Sequence, residues 1–105
     1  MKIELHPEAD ADAKEAAHWY EDQQIGLGKA FLDRLDEAYR KIKHAPRRFA
    51  KLETVKFKAE IRRCLLPRFP YLVIYEMAGD VTHVLAVAHA SRRPNYWLKR
   101  RKKRS

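Results

Sequence analysis

The chain has 105 residues, room for one compact domain and not two, and its 46% apolar content allows a buried core and argues against disorder throughout. Lys and Arg number 23 against 14 Asp and Glu, a net +9 that points to an acidic or polyanionic partner. The single cysteine, Cys64, excludes an internal disulfide and a four-cysteine zinc site, and no apolar run approaches the ~20 residues that a bilayer needs, so a cytoplasmic protein with no membrane partner is expected.

Lys2 to Leu5 alternates polar and apolar side chains and predicts a short first strand. His6-Pro7 then opens a helix, with Pro at the first helical position and Glu8, Asp10 and Asp12 complementing the dipole. Ala9, Ala13, Ala16, Ala17 and Tyr20 keep the 3.6 period, which predicts a helix from about Pro7 to Gln24 with Trp19 and Tyr20 as packing residues. After the tight Gly26-Leu27-Gly28 connection, Leu27, Phe31, Leu35, Ala38 and Ile42 mark a second amphipathic helix that ends near His44, before Pro46. Two helices joined so closely form an antiparallel hairpin.

Beyond Pro46 the period changes from 3.6 to 2. Val55, Phe57 and Ala59 alternate with charged residues, and Ile61 to Leu66, Tyr71 to Met77 and Val81 to Ala88 follow as three further β-rich runs. Ala78-Gly79-Asp80 reads as the hairpin turn between the last two. Val73-Ile74 and Val84 to Val87 are apolar on successive residues, as expected of central strands covered on both faces. The expected fold is α+β in the order β-α-α-β-β-β, an antiparallel sheet with an N-terminal helical hairpin on one face. The segment Pro94 to Trp97 is expected to fold back as an apolar latch, and Cys64 to be a buried small hydrophobe.

Charge is unevenly spread. Residues 1–46 carry 7 basic and 10 acidic side chains, and residues 47–105 carry 16 basic and 4 acidic, so the helical half is acidic and the sheet half strongly basic. Residues 99–105 are expected to be a basic tail, either a contact for phosphate backbone or simply a soluble end, on a domain spanning 1–98. The five histidines show no His-Glu-x-x-His spacing, Ser91 and Ser105 are the only serines, and the three glycines lack phosphate-loop spacing. Neither a metal nor a cofactor is expected.

The segments Glu15-Ala16-Ala17, Trp19-Tyr20-Glu21, Gly26-Leu27-Gly28, Arg68-Phe69-Pro70-Tyr71, Val87-Ala88-His89, Arg92-Arg93-Pro94 and Tyr96-Trp97, taken in order, resemble the RelE/ParE superfamily of toxins from type II toxin–antitoxin modules, in the branch described as plasmid-stabilisation proteins. The resemblance implies a growth-inhibitory toxin held in a hetero-oligomer by a cognate antitoxin. It also implies one of two activities: poisoning of DNA gyrase, as ParE-like members do, or metal-independent cleavage of mRNA on the ribosome, as RelE-like members do. Cleavage through a ribose 2′-hydroxyl needs a base, an acid and cations around the phosphate. The residues available for that are His89, Arg92, Arg93 and Tyr96, with Arg68 as phosphate clamp, and Arg62, Arg63, Arg68, Arg92 and Arg93 are the candidates for target or phosphate binding. Leu72 and Ala90 stand where the mRNA-cleaving members carry arginines, which favours the gyrase-type reading over the endoribonuclease. A third reading is a non-toxic member that binds nucleic acid or a partner.

Overall fold

The computed structural model describes residues 2–52, 60–93 and 95–101. Strand β1 (Lys2–Leu5) leads into α1 (Pro7–Gln23) and α2 (Leu27–His44), followed by a 3-10 turn at Pro46–Arg48, strands β2 (Glu60–Leu65), β3 (Tyr71–Ala78) and β4 (Val81–His89), and a closing 3-10 helix at Tyr96–Arg100. The expected alternation at Val55, Phe57 and Ala59 lies outside the described residues.

The sheet runs β1-β4-β3-β2. The last three strands are antiparallel neighbours, but β1 joins β4 in parallel, so the sheet is mixed and not purely antiparallel. Alternation assigns faces to a strand; it does not fix the direction of one separated from its neighbour by a long crossover.

Local chemistry explains each boundary. His6 accepts the Glu8 N–H on Nδ1 at 3.1 Å and caps α1, with Pro7 at the first helical position. Gly26, at φ +89°, reverses the chain before α2. The Glu21 carboxylate accepts from the N–H groups of Gly26 (3.0 Å) and Gly28 (3.0 Å), so a side chain of α1 satisfies the orphan donors that open α2. Gly79, at φ +64°, makes the two-residue turn between β3 and β4.

The alanine stripe of α1 (Ala9, Ala13, Ala16, Ala17) and the larger stripe of α2 (Phe31, Leu35, Ala38, Ile42) pack on one sheet face against Cys64, Val73, Tyr75, Val84 and Val87. Each fully buried Phe, Ile or Val contributes about 1.5–3 kcal/mol. The other face holds Ile61, Ile74, Leu85, Ala86 and Ala88 under Trp97, Leu98 and Leu52. Both faces of β3 and β4 are therefore covered, and Trp97 is the latch expected of the C-terminal segment. A register shift at Ile74/Tyr75 leaves Leu85 unmatched across the pair and puts Leu85 and Ala86 on the same face.

The C-terminal arginines are tied into this frame. Arg100 donates to both oxygens of Asp12 at 2.7 and 3.3 Å and to the Leu85 carbonyl at 3.1 Å, with Glu8 at 3.4 Å. Arg101 pairs in two-pronged fashion with Glu76, at 2.9 and 2.6 Å. Arg100 and Arg101 are thus tied into the fold, whereas Lys99 is exposed.

Candidate functional site

β3 begins and β4 ends at the same end of the sheet, where Tyr71 lies opposite His89 in the ladder and the Ala90 N–H donates to the Pro70 carbonyl at 2.7 Å. The chain then turns sharply, with the Arg92 N–H on the His89 carbonyl at 2.9 Å, and enters the closing 3-10 helix at Tyr96. This turn separates two recesses that share His89, Arg92 and Tyr96.

The first, of about 170 Å³, opens between α1 and the end of β4 and is lined by Asp12, Glu15, Trp19 and Tyr71 besides the shared residues. The second, of about 200 Å³, lies on the opposite sheet face, with an apolar floor of Leu72, Ile74 and Ala88 under Arg63, Arg92 and Arg93.

Of the residues expected from sequence, His89, Arg92 and Tyr96 come together. His89 is exposed, with Nδ1 at 2.7 Å from the Ser91 hydroxyl and accepting the Ser91 N–H at 3.1 Å, and its ring stands edge-on to Tyr71 at 5.1 Å. The Arg92 guanidinium lies 4.2 Å from the centre of the Tyr96 ring, and that of Arg100 at 5.2 Å. Burial, and then Asp12, push the Tyr96 hydroxyl above its ordinary range, so at neutral pH it is a proton donor and not a phenolate.

Arg63 and Arg93 are exposed at the second recess. Arg68 is exposed in the β2–β3 connection at the same sheet end, with the left-handed φ of +73° that is uncommon outside glycine. Arg62 stands apart: its guanidinium is taken up by the Phe49 carbonyl at 2.6 Å and by Glu60 at 3.1 Å. Leu72 and Ala90 both line the second recess, where they contribute no cation.

Three lining residues escaped the sequence reading. Tyr20 packs against Phe31 and Phe69 as expected, but Trp19 is 57% exposed and faces the first recess with Asp12 and Glu15. Their spacing, i, i+3 and i+7, is itself a helical stripe beside the alanine one, and is the signal that could have found them. Among the described residues, no three of His, Cys, Asp and Glu are grouped so as to hold a metal, and no helix is long and apolar enough to cross a membrane.

A family model described as the ParE toxin of a type II toxin–antitoxin system, parDE, matches residues 3–94. No curated protein matches the chain. A solved structure titled "Chromosomal ParDE TA system from P. aeruginosa" shares the fold at a TM-score of 0.66, covering 85% of this chain and 95% of that one at 14% identity. With the match spanning both helices, all four strands and the turn that carries His89 and Arg92, the chain belongs to the family of ParE toxins of type II toxin–antitoxin systems.

Proposed function

We propose that this chain inhibits growth by binding a macromolecular target, DNA gyrase as the resemblance to ParE-like members implies, and that a cognate antitoxin neutralises it. The observation that carries this reading is the family match over residues 3–94. The makeup of the second recess supports it: its apolar lining includes Leu72 and Ala90, the positions at which, by the resemblance, mRNA-cleaving members carry arginines. Such a lining, rimmed by Arg63, Arg92 and Arg93, suits an acidic, amphipathic antitoxin segment, whose apolar side chains enter while its carboxylates meet the rim.

Strand addition is a second mode of antitoxin contact. The outer edge of β2 is already occupied in part, since the Leu52 N–H donates to Ile61 and the Arg63 N–H to Ala50. The upper edge of β4 is closed by Asp12, which accepts the Val87 N–H, and by Arg100 on Leu85. That leaves β1 as the edge on which a partner strand would add.

The endoribonuclease reading keeps one observation in its favour, the convergence of His89, Arg92 and Tyr96 at the turn between the two recesses. The test of the toxin reading is induction of the chain alone and together with the adjacent reading frame. Arrest that the second gene relieves is expected; harmless accumulation of folded protein would remove the proposal.

A further inference from the structure

We propose that the recess between α1 and the end of β4 binds a guanine nucleotide, with Glu15 reading the base, Trp19 stacking on it and Arg92 holding its phosphate. The proposal does not depend on which target the toxin reading assigns.

Three features of the recess bring these residues to one ligand. The first is the unused carboxylate. Asp12 is taken up by Arg100 and the Val87 N–H, whereas Glu15, one turn further along the same helix face, is exposed and makes no hydrogen bond or ion pair among the described residues. Both Glu15 and Tyr71 line the recess, and Glu15 adds to the burial that raises the Tyr71 hydroxyl, so the carboxylate's field reaches across it. The second is an aromatic ring left in water. Trp19 ends a cluster of packed rings, edge-on to Tyr20 at 5.2 Å, yet is 57% exposed and lines the same recess. The third is the Arg92 guanidinium, which lines the recess opposite the helix beside His89.

Base-edge chemistry selects guanine. Its Watson–Crick edge presents two adjacent donors, N1–H and the N2 amino group, which match the two oxygens of a carboxylate. Adenine and cytosine set an acceptor beside their donor, and uracil flanks its donor with two carbonyls, so each meets a carboxylate with repulsion. An exposed tryptophan is a sequence-tolerant stacking platform for any base. The volume of about 170 Å³ is roughly half the ~300 Å³ at which drug-sized pockets begin, so it holds one base and not a base pair.

The test uses the intact chain, with 5′-GMP, 5′-AMP and inorganic phosphate as probes and Trp19 fluorescence as the signal, assigned by its loss in Trp19→Phe. GMP is expected to bind about tenfold or more tighter than AMP. Glu15→Gln should weaken GMP and relieve the repulsion of AMP, so that the guanine preference is lost, while Arg92→Ala should weaken both alike. Glu15 and Arg92 are exposed, so the variants should melt like the parent; the Trp19 indole resonance of the unmodified chain gives a reading independent of any substitution. The pentaribonucleotides UUGUU and UUAUU separate the sources: a marked gain over the mononucleotide identifies a single strand as ligand, equal affinity a free nucleotide, and in either case guanine must lead. Equal binding of GMP, AMP and phosphate, a guanine preference that survives Glu15→Gln, or an unmoved Trp19 signal would overturn the proposal.

Discussion

Asp12 and Arg100 lie 88 positions apart and share a two-pronged ion pair across the edge of the sheet. The same carboxylate accepts the Val87 N–H at 3.2 Å and the same guanidinium donates to the Leu85 carbonyl. One pair therefore closes the part of β4 that β1 does not reach and pins the C-terminal helix, and with it Trp97, over the second sheet face.

Removing Asp12 leaves the Arg100 guanidinium, 8% exposed, with only the Leu85 carbonyl and the more distant, exposed Glu8 as partners. Asp12→Ala is expected to destabilise the fold by about 3 kcal/mol, measured by urea denaturation. The fluorescence of Trp97 should shift to the red in Asp12→Ala made on a Trp19→Phe background. An unshifted spectrum would mean that Trp97 holds the segment down without the pair.

The helical hairpin depends on a close approach at Gly28. A Cβ there would stand 2.6 Å from the Ala17 carbonyl oxygen and 3.0 Å from the Glu21 carboxylate. Gly28→Ala is accordingly expected to cost about 1–3 kcal/mol through overpacking, more than alanine's helix propensity returns at a first-turn position. Glu21→Ala, which frees the Gly26 and Gly28 N–H groups, should cost about 1 kcal/mol. Thermal melts of the two variants and their double mutant check both values, and coupling between them is expected because the sites touch.

Stability should fall in alkali for a traceable reason. Burial pushes the Tyr75 hydroxyl far above its ordinary value, and in the fold that hydroxyl donates to the Pro46 carbonyl at 2.5 Å. An acid whose folded pKa is raised keeps its full stabilisation below the unfolded value of about 10 and loses it as the pH climbs past that point. Chemical denaturation at pH 8 and pH 11 should show the loss, and Tyr75→Phe should be less stable at pH 8 yet less sensitive to alkali. Tyr39, raised by burial and then by Asp10, adds to the same limb and will remain in that variant.

The elements were legible wherever one face is buried, since the alanine stripe of α1, the Phe31-Leu35-Ile42 stripe of α2 and the doubly apolar β3 and β4 state their periods outright. The direction of β1 was not, because both directions bury the same Ile3 side chain. Arg62 was read as a contact for the target and is committed to Phe49 and Glu60, while Arg100 and Arg101 were read as tail and are committed to Asp12 and Glu76. An arginine's partner is fixed by tertiary contacts, and neither charge runs nor spacing encode it. Trp19 and Tyr20 are adjacent aromatics, but the successive 100° steps of a helix put them on different faces, so Tyr20 packs and Trp19 is exposed.

The most direct test of the account adds the purified chain to DNA gyrase in a supercoiling assay, with and without its antitoxin, and maps mRNA 5′ ends after induction in cells. Inhibited supercoiling that the antitoxin restores, weakened in Arg92→Ala/Arg93→Ala, with mRNA intact, is the predicted result. Undisturbed gyrase together with codon-phased mRNA cuts that His89→Ala abolishes would contradict it.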